Sequence, residues 1–136
     1  MSIFVDTSVW SLGLRRDVPS SEPEVRELIR CIESGQALVS TGLVLQELLQ
    51  GFAGPKARAQ IIDRFSALPL LATDRNDHIQ AAELRNRCRR AGFQAGTIDA
   101  LLAQLCIRHD LVMLTTDQDF RAIAAHSTLR IWRQQG

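Results

Sequence analysis

Five short runs dominated by apolar side chains punctuate the chain, and their spacing decides the fold class. They fall at residues 3–5, 37–39, 68–71, 111–114 and 129–132, each the length of a buried strand. Between every two successive runs the apolar residues switch to helical spacing, as over 9–14, 43–52, 56–65, 75–90, 97–108 and 118–125. Strands separated by helices are joined by crossovers, and crossovers connect parallel strands. The expected architecture is therefore α/β, a three-layer α/β/α sandwich around a central, mainly parallel sheet. At 136 residues, with no Gly/Ser-rich linker and no fixed repeat, residues 1–136 read as a single domain.

Local signals place the helix ends. Ser8 is a plausible N-cap for the helix over 9–14, and Ser21 for a helix carrying Val25, Leu28, Ile29 and Ile32 and ended by Gly35. A loop is expected over 15–21. Thr73 or Asp74 can cap the long helix over 75–90, whose apolar positions are Ile79, Ala82, Leu84 and Cys88. The helix over 97–108 spreads Leu101, Leu102, Leu105 and Cys106 over a wide face, so it is expected to be buried on more than one side.

Composition mainly excludes. The net charge of +1 favours no class of partner. Cys31, Cys88 and Cys106 form no C-x-x-C pair, and His78, His109 and His126 stand apart, so thiolate or imidazole metal sites are not expected. No basic-then-apolar leader and no apolar run of membrane length occurs, which points to a cytoplasmic protein with no membrane association. There is no tyrosine, so any nucleic acid would be recognised by shape and backbone rather than by stacking platforms.

The informative residues are acids at strand-to-helix junctions. Asp6 ends the first strand, Glu47 lies one turn into the helix after the second, Asp99 lies in the first turn of the helix over 97–108, and Asp117 follows the fourth strand. In a parallel sheet these junctions share one edge, where ligands bind. Each acid also has a plainer reading. Asp6 and Asp117 can cap helices, and Asp99 can favour a helix N-terminus. Glu47 is flanked by Leu43, Val44, Leu45, Leu48 and Leu49, so it is expected to be partly buried and to need a partner. Asp119 ranks as an accessory ligand. Clustered carboxylates do not all stay ionised without a cation, and an all-oxygen donor set suits Mg²⁺ or Mn²⁺. Such an ion activates water and offsets charge on a phosphodiester.

The runs Ile3-Phe4-Val5-Asp6-Thr7-Ser8, Ser40 to Glu47-Leu48, Ile98-Asp99-Ala100-Leu101-Leu102-Ala103 and Leu114-Thr115-Thr116-Asp117-Gln118-Asp119-Phe120 together resemble the PIN-domain ribonucleases, most closely the VapC-type toxins. The resemblance implies Mg²⁺ or Mn²⁺ held by Asp6, Asp99 and Asp117, with Glu47 completing the pocket. It also implies RNA cleavage by metal-activated water, a homodimer, and a small cognate antitoxin as partner. Ser8 and Thr115 would then position water or the ligand carboxylates.

Arg85 and Arg89, one turn apart in the densest basic stretch, can hold RNA phosphates or form a solvated face. Trp10, Leu12 and Leu14 belong to the core or to a partner surface. Two rival functions are a phosphatase or phospho-acceptor domain using Asp6, and a non-catalytic module docking a basic segment in the acidic pocket. Against the first, no lysine stands at a late strand end and Ser8 occupies the position where a second aspartate is wanted.

Overall fold

The computed structural model describes residues 1–15 and 20–135. In chain order the elements are β1 (Ile3–Val5), α1 (Thr7–Leu14), α2 (Pro23–Ser34), β2 (Leu38–Thr41), α3 (Gly42–Gly51), α4 (Pro55–Ser66), β3 (Leu70–Leu71), α5 (Arg75–Arg90), α6 (Thr97–Arg108), β4 (Val112–Leu114), α7 (Gln118–Ala125) and β5 (Arg130–Ile131). The sheet order is β3-β2-β1-β4-β5, with every pairing parallel. The α/β sandwich read from the sequence is what forms. Residues 16–19 of the expected 15–21 loop lie outside the described residues.

This order fixes where the site can be. From β1 the chain steps outward to β2 and β3, then returns past β1 to β4 and β5. Right-handed crossovers place α1 to α4 on one face and α5 to α7 on the other, as their mutual packing shows. The steps reverse between β1 and β4, which opens a crevice beyond their carboxyl ends. Asp6 follows β1 directly, and Thr115 to Asp117 follow β4.

β1 is wholly buried, with Phe4 and Val5 fully enclosed. Burying each such side chain is worth about 1.5–3 kcal/mol. Trp10 packs into the core and meets Phe65 at 5.1 Å between ring centroids. No helix among the described residues is long and apolar enough to cross a membrane.

Several expectations are corrected. α1 starts at Thr7 with Asp6 as its N-cap, so Ser8 is inside the helix, because the Asp6 carboxylate already receives the Ser8 amide. Glu22, not Ser21, precedes α2, with Pro23 at the first helical position. In α5 the buried positions are Asp77, Ala81, Leu84 and Cys88, while Ile79 and Ala82 face outward. The helix turns this way because Arg108 of α6 pairs with Asp77, at 2.7 Å from Nε to Oδ1 and 2.8 Å from Nη2 to Oδ2. Asp74 and Asp77 also form a reciprocal capping box.

Candidate active site

Asp6 is buried at 5% exposure. Its Oδ2 accepts hydrogen bonds from the Ser8 hydroxyl at 2.8 Å and the Thr115 hydroxyl at 2.9 Å. The Ser8 amide lies 3.4 Å from the same oxygen. Burial pushes the Asp6 carboxyl above its ordinary range, and the Ser8 and Thr115 hydrogen bonds oppose that rise. The hydroxyls knit the two strand ends together. Ser8 Oγ accepts from the Thr116 amide at 3.1 Å, and Thr115 Oγ1 accepts from the Asp117 amide at 3.0 Å.

Asp117 caps α7 through the Asp119 amide, at 2.9 Å to Oδ1. Asp99 comes from the opposite wall, in the first turn of α6 after the Gly96 cap. One carboxylate oxygen each from Asp99, Asp117 and Asp119 lies within 4.8 Å of the other two. Burial first, then the charges of Asp117, Asp6, Asp119 and Glu47, push the Asp99 carboxyl up to about 6. The charges of the other four acids thus all reach Asp99, while Asp6 and Glu47 lie outside the group of oxygens within 4.8 Å. Among the described residues no basic side chain hydrogen-bonds or ion-pairs with any of them. A divalent cation is the group that such a donor set lacks.

Glu47 is exposed, contrary to the partial burial expected from its leucine neighbours. Val44 and Leu48 take the inward face of α3, which leaves Glu47 at the rim. It does have a partner, since Thr7 Oγ1 donates to its Oε1 at 3.1 Å. Thr7 was not singled out in the sequence, where its only signal is its place directly after Asp6. Asp119, expected as an accessory ligand, is the exposed member of the group within 4.8 Å.

Arg85 donates from Nε to the Ala95 carbonyl at 2.8 Å, so it ties down the segment that leads into α6. Arg89 is exposed and bonds Asn86 at 2.8 Å.

The PIN domain family model matches residues 3–126. A VapC ribonuclease of Mycobacterium bovis is 30% identical over 130 residues, covering 94% of this chain and 96% of that protein. Ribonuclease VapC11 of Mycobacterium tuberculosis matches to the same extent. Among solved structures, VapBC-1 from nontypeable Haemophilus influenzae superposes with a TM-score of 0.74 at 16% identity, over 97% of each chain. Mycobacterium tuberculosis VapC20, described as a sarcin-ricin loop cleaving toxin, gives 0.67 at 21% identity, over 94% of this chain and 98% of that one.

Proposed function

The chain belongs to the PIN-domain family and within it to the VapC ribonucleases, and on that premise we propose that it is the toxin of a toxin–antitoxin pair, hydrolysing RNA phosphodiester bonds with Mg²⁺ or Mn²⁺ at the acid cluster. The observation that carries this reading is the convergence of Asp99, Asp117 and Asp119 within 4.8 Å, on a carboxyl already pushed up to about 6 by burial and like charge. Asp6, Asp99 and Asp117 would hold the ion, with Asp119 in reach. When bound, it supplies an activated water and offsets charge on the phosphate.

The chain's own residues do the positioning. Ser8 and Thr115 hold Oδ2 of Asp6 and fix its carboxylate, which would be one of the residues holding the ion. Thr7 holds one oxygen of Glu47 and leaves the other toward solvent at the rim. There Glu47 orients the attacking water or takes its proton.

The partner half of the reading has its own support. The structurally similar VapBC-5 of Mycobacterium tuberculosis is a member of the VapBC family of toxin–antitoxin systems, and an apolar groove of about 360 Å³ runs between α1, α2 and α4, with Trp10, Leu14, Leu28, Ile29 and Phe65 in its lining. A small antitoxin would lay an apolar segment there, and the toxin itself would be a homodimer.

The test is RNA cleavage by the purified chain and its Asp6→Asn and Asp99→Asn variants, with thermal melts as a check on folding. Loss of Mg²⁺-dependent cleavage in folded variants is expected. Full activity in both would sink the proposal.

A further inference from the structure

An RNA chain that reaches the acid cluster brings a negative charge on every nucleotide. A bound ion compensates the reacting phosphate, but the flanking phosphates still meet Asp6, Glu47, Asp99, Asp117 and Asp119. Cations for them must stand elsewhere on the same edge of the sheet.

A groove of about 650 Å³ between α2 and the segment after β5 supplies them. Arg26 and Arg30 line it from α2, and Arg133, Gln134 and Gln135 from the chain beyond β5. The one acid in its lining is Glu27. Arg30 already holds Glu27 at two points, 2.8 Å from Nε and 2.7 Å from Nη2. Two guanidinium groups remain. Among the described residues Arg26 has a single hydrogen bond, to the Ser21 carbonyl at 3.3 Å, and Arg133 has no hydrogen bond or ion pair.

The groove also lies close to the chemistry. The Trp132 amide donates to the Met113 carbonyl at 2.8 Å, so the groove begins at the carboxyl end of β5, beside the carboxyl end of β4. Neighbouring strands lie about 4.8 Å apart, and β4 leads directly into Thr115 and Asp117. A strand crossing this edge from the cluster meets the groove next. Resting on the ribonuclease reading above, we infer that the groove between α2 and the segment after β5 binds the phosphates of single-stranded RNA beside the scissile bond, through Arg26 and Arg133. The apolar groove at Trp10 suits a protein segment; this one presents uncompensated guanidinium groups and side-chain amides, which suit a polyanion.

The test is binding of a fluorescent single-stranded RNA oligonucleotide to the full chain, by anisotropy in EDTA across a salt series. Cleavage plays no part in this readout. The Arg26→Gln/Arg133→Gln pair is expected to bind about tenfold more weakly, with the salt slope falling by about 1.4 for two lost phosphate contacts. Arg26→Lys/Arg133→Lys should recover the slope. A charge-matched control, Arg58→Gln/Arg75→Gln on exposed positions of α4 and α5, should bind as the parent does. Unchanged affinity and slope in the Arg26/Arg133 pair would overturn the inference, as would an equal loss in the control. So would loss of antitoxin binding alone, which would make the groove a protein interface. A parent chain that binds through these arginines yet never cleaves RNA would keep the groove and retire the ribonuclease reading.

Discussion

Two buried acid sites in this molecule resolve the same electrostatic problem in opposite ways. At the start of α5, Asp77 is fully enclosed, and burial alone would raise its carboxyl. The Asp74 amide and the Arg108 guanidinium more than offset that and hold it below the ordinary range. Beyond β1 and β4, burial raises the Asp6 carboxyl, and burial together with the charges of Asp117, Asp6, Asp119 and Glu47 raises that of the half-buried Asp99. The first site is complete as folded and stabilises the chain. The second gathers Asp99, Asp117 and Asp119 with no basic partner among the described residues. An acid buried with its own counter-charge is architecture; acids gathered without one mark the place where something binds.

The contrast can be broken most severely at the cluster. Asp99→Asn should lower metal-dependent RNA cleavage by on the order of 10³-fold, since it removes an ion ligand while leaving the shape intact. Equal turnover by variant and parent would show that the cluster is not where the chemistry occurs. At the other site, Arg108→Met should destabilise the fold by about 3 kcal/mol at neutral pH, because it leaves Asp77 buried without its partner. Urea unfolding would measure this, and a change below about 0.5 kcal/mol would mean the pair is ordinary surface charge.

The two sites should also answer pH and neutralisation with opposite sign. The depressed carboxyl of Asp77 contributes stability above the unfolded carboxylate pKa, and that stability is lost as pH falls through the folded value. Asp99 is raised, so its contribution is present at low pH and is lost as pH rises from the ordinary 3.8 to about 6. In EDTA at pH 7, Asp99→Asn should therefore stabilise the chain by about 1 kcal/mol after discounting for solvent screening, or ~3 °C in Tm. A lower Tm than the parent would contradict this. The smallest expected effect is at the rim. Thr7→Val frees Glu47 and should cut kcat a fewfold with little change in KM, and Thr7→Ser should restore it. No change in kcat would remove Thr7 from the mechanism.

Much of this was legible in the sequence, and the rest was not for physical reasons. The five apolar runs announced their strands, closest to the observed bounds in the buried β1 and more loosely in the two-residue edge strands β3 and β5, and strand order then placed Asp6 and Asp117 at one crevice. The two readings of Asp6, cap and candidate ligand, were posed as alternatives. The structure gives it the cap through Oδ2, and the ligand reading stays part of the proposed function. The inward face of α5 does not follow its apolar positions at Ile79 and Ala82, because it includes an acid, Asp77, paired with an arginine 31 positions away. The Thr7–Glu47 hydrogen bond spans 40 positions, and no local pattern encodes it. The approach of Asp119 to Asp99 within 4.8 Å depends on how α7 leaves its cap, which no local sequence pattern encodes.

Mn²⁺ titration by calorimetry into the metal-free chain and its Asp99→Asn variant, at pH 7.5 and pH 5, tests the central claim most directly. Saturable binding to the parent at pH 7.5 is expected, weaker at pH 5 as the Asp99 carboxyl protonates, and largely lost in the variant. Equal Mn²⁺ binding by parent and variant, or none by either, would contradict the account of the cluster as a cation site.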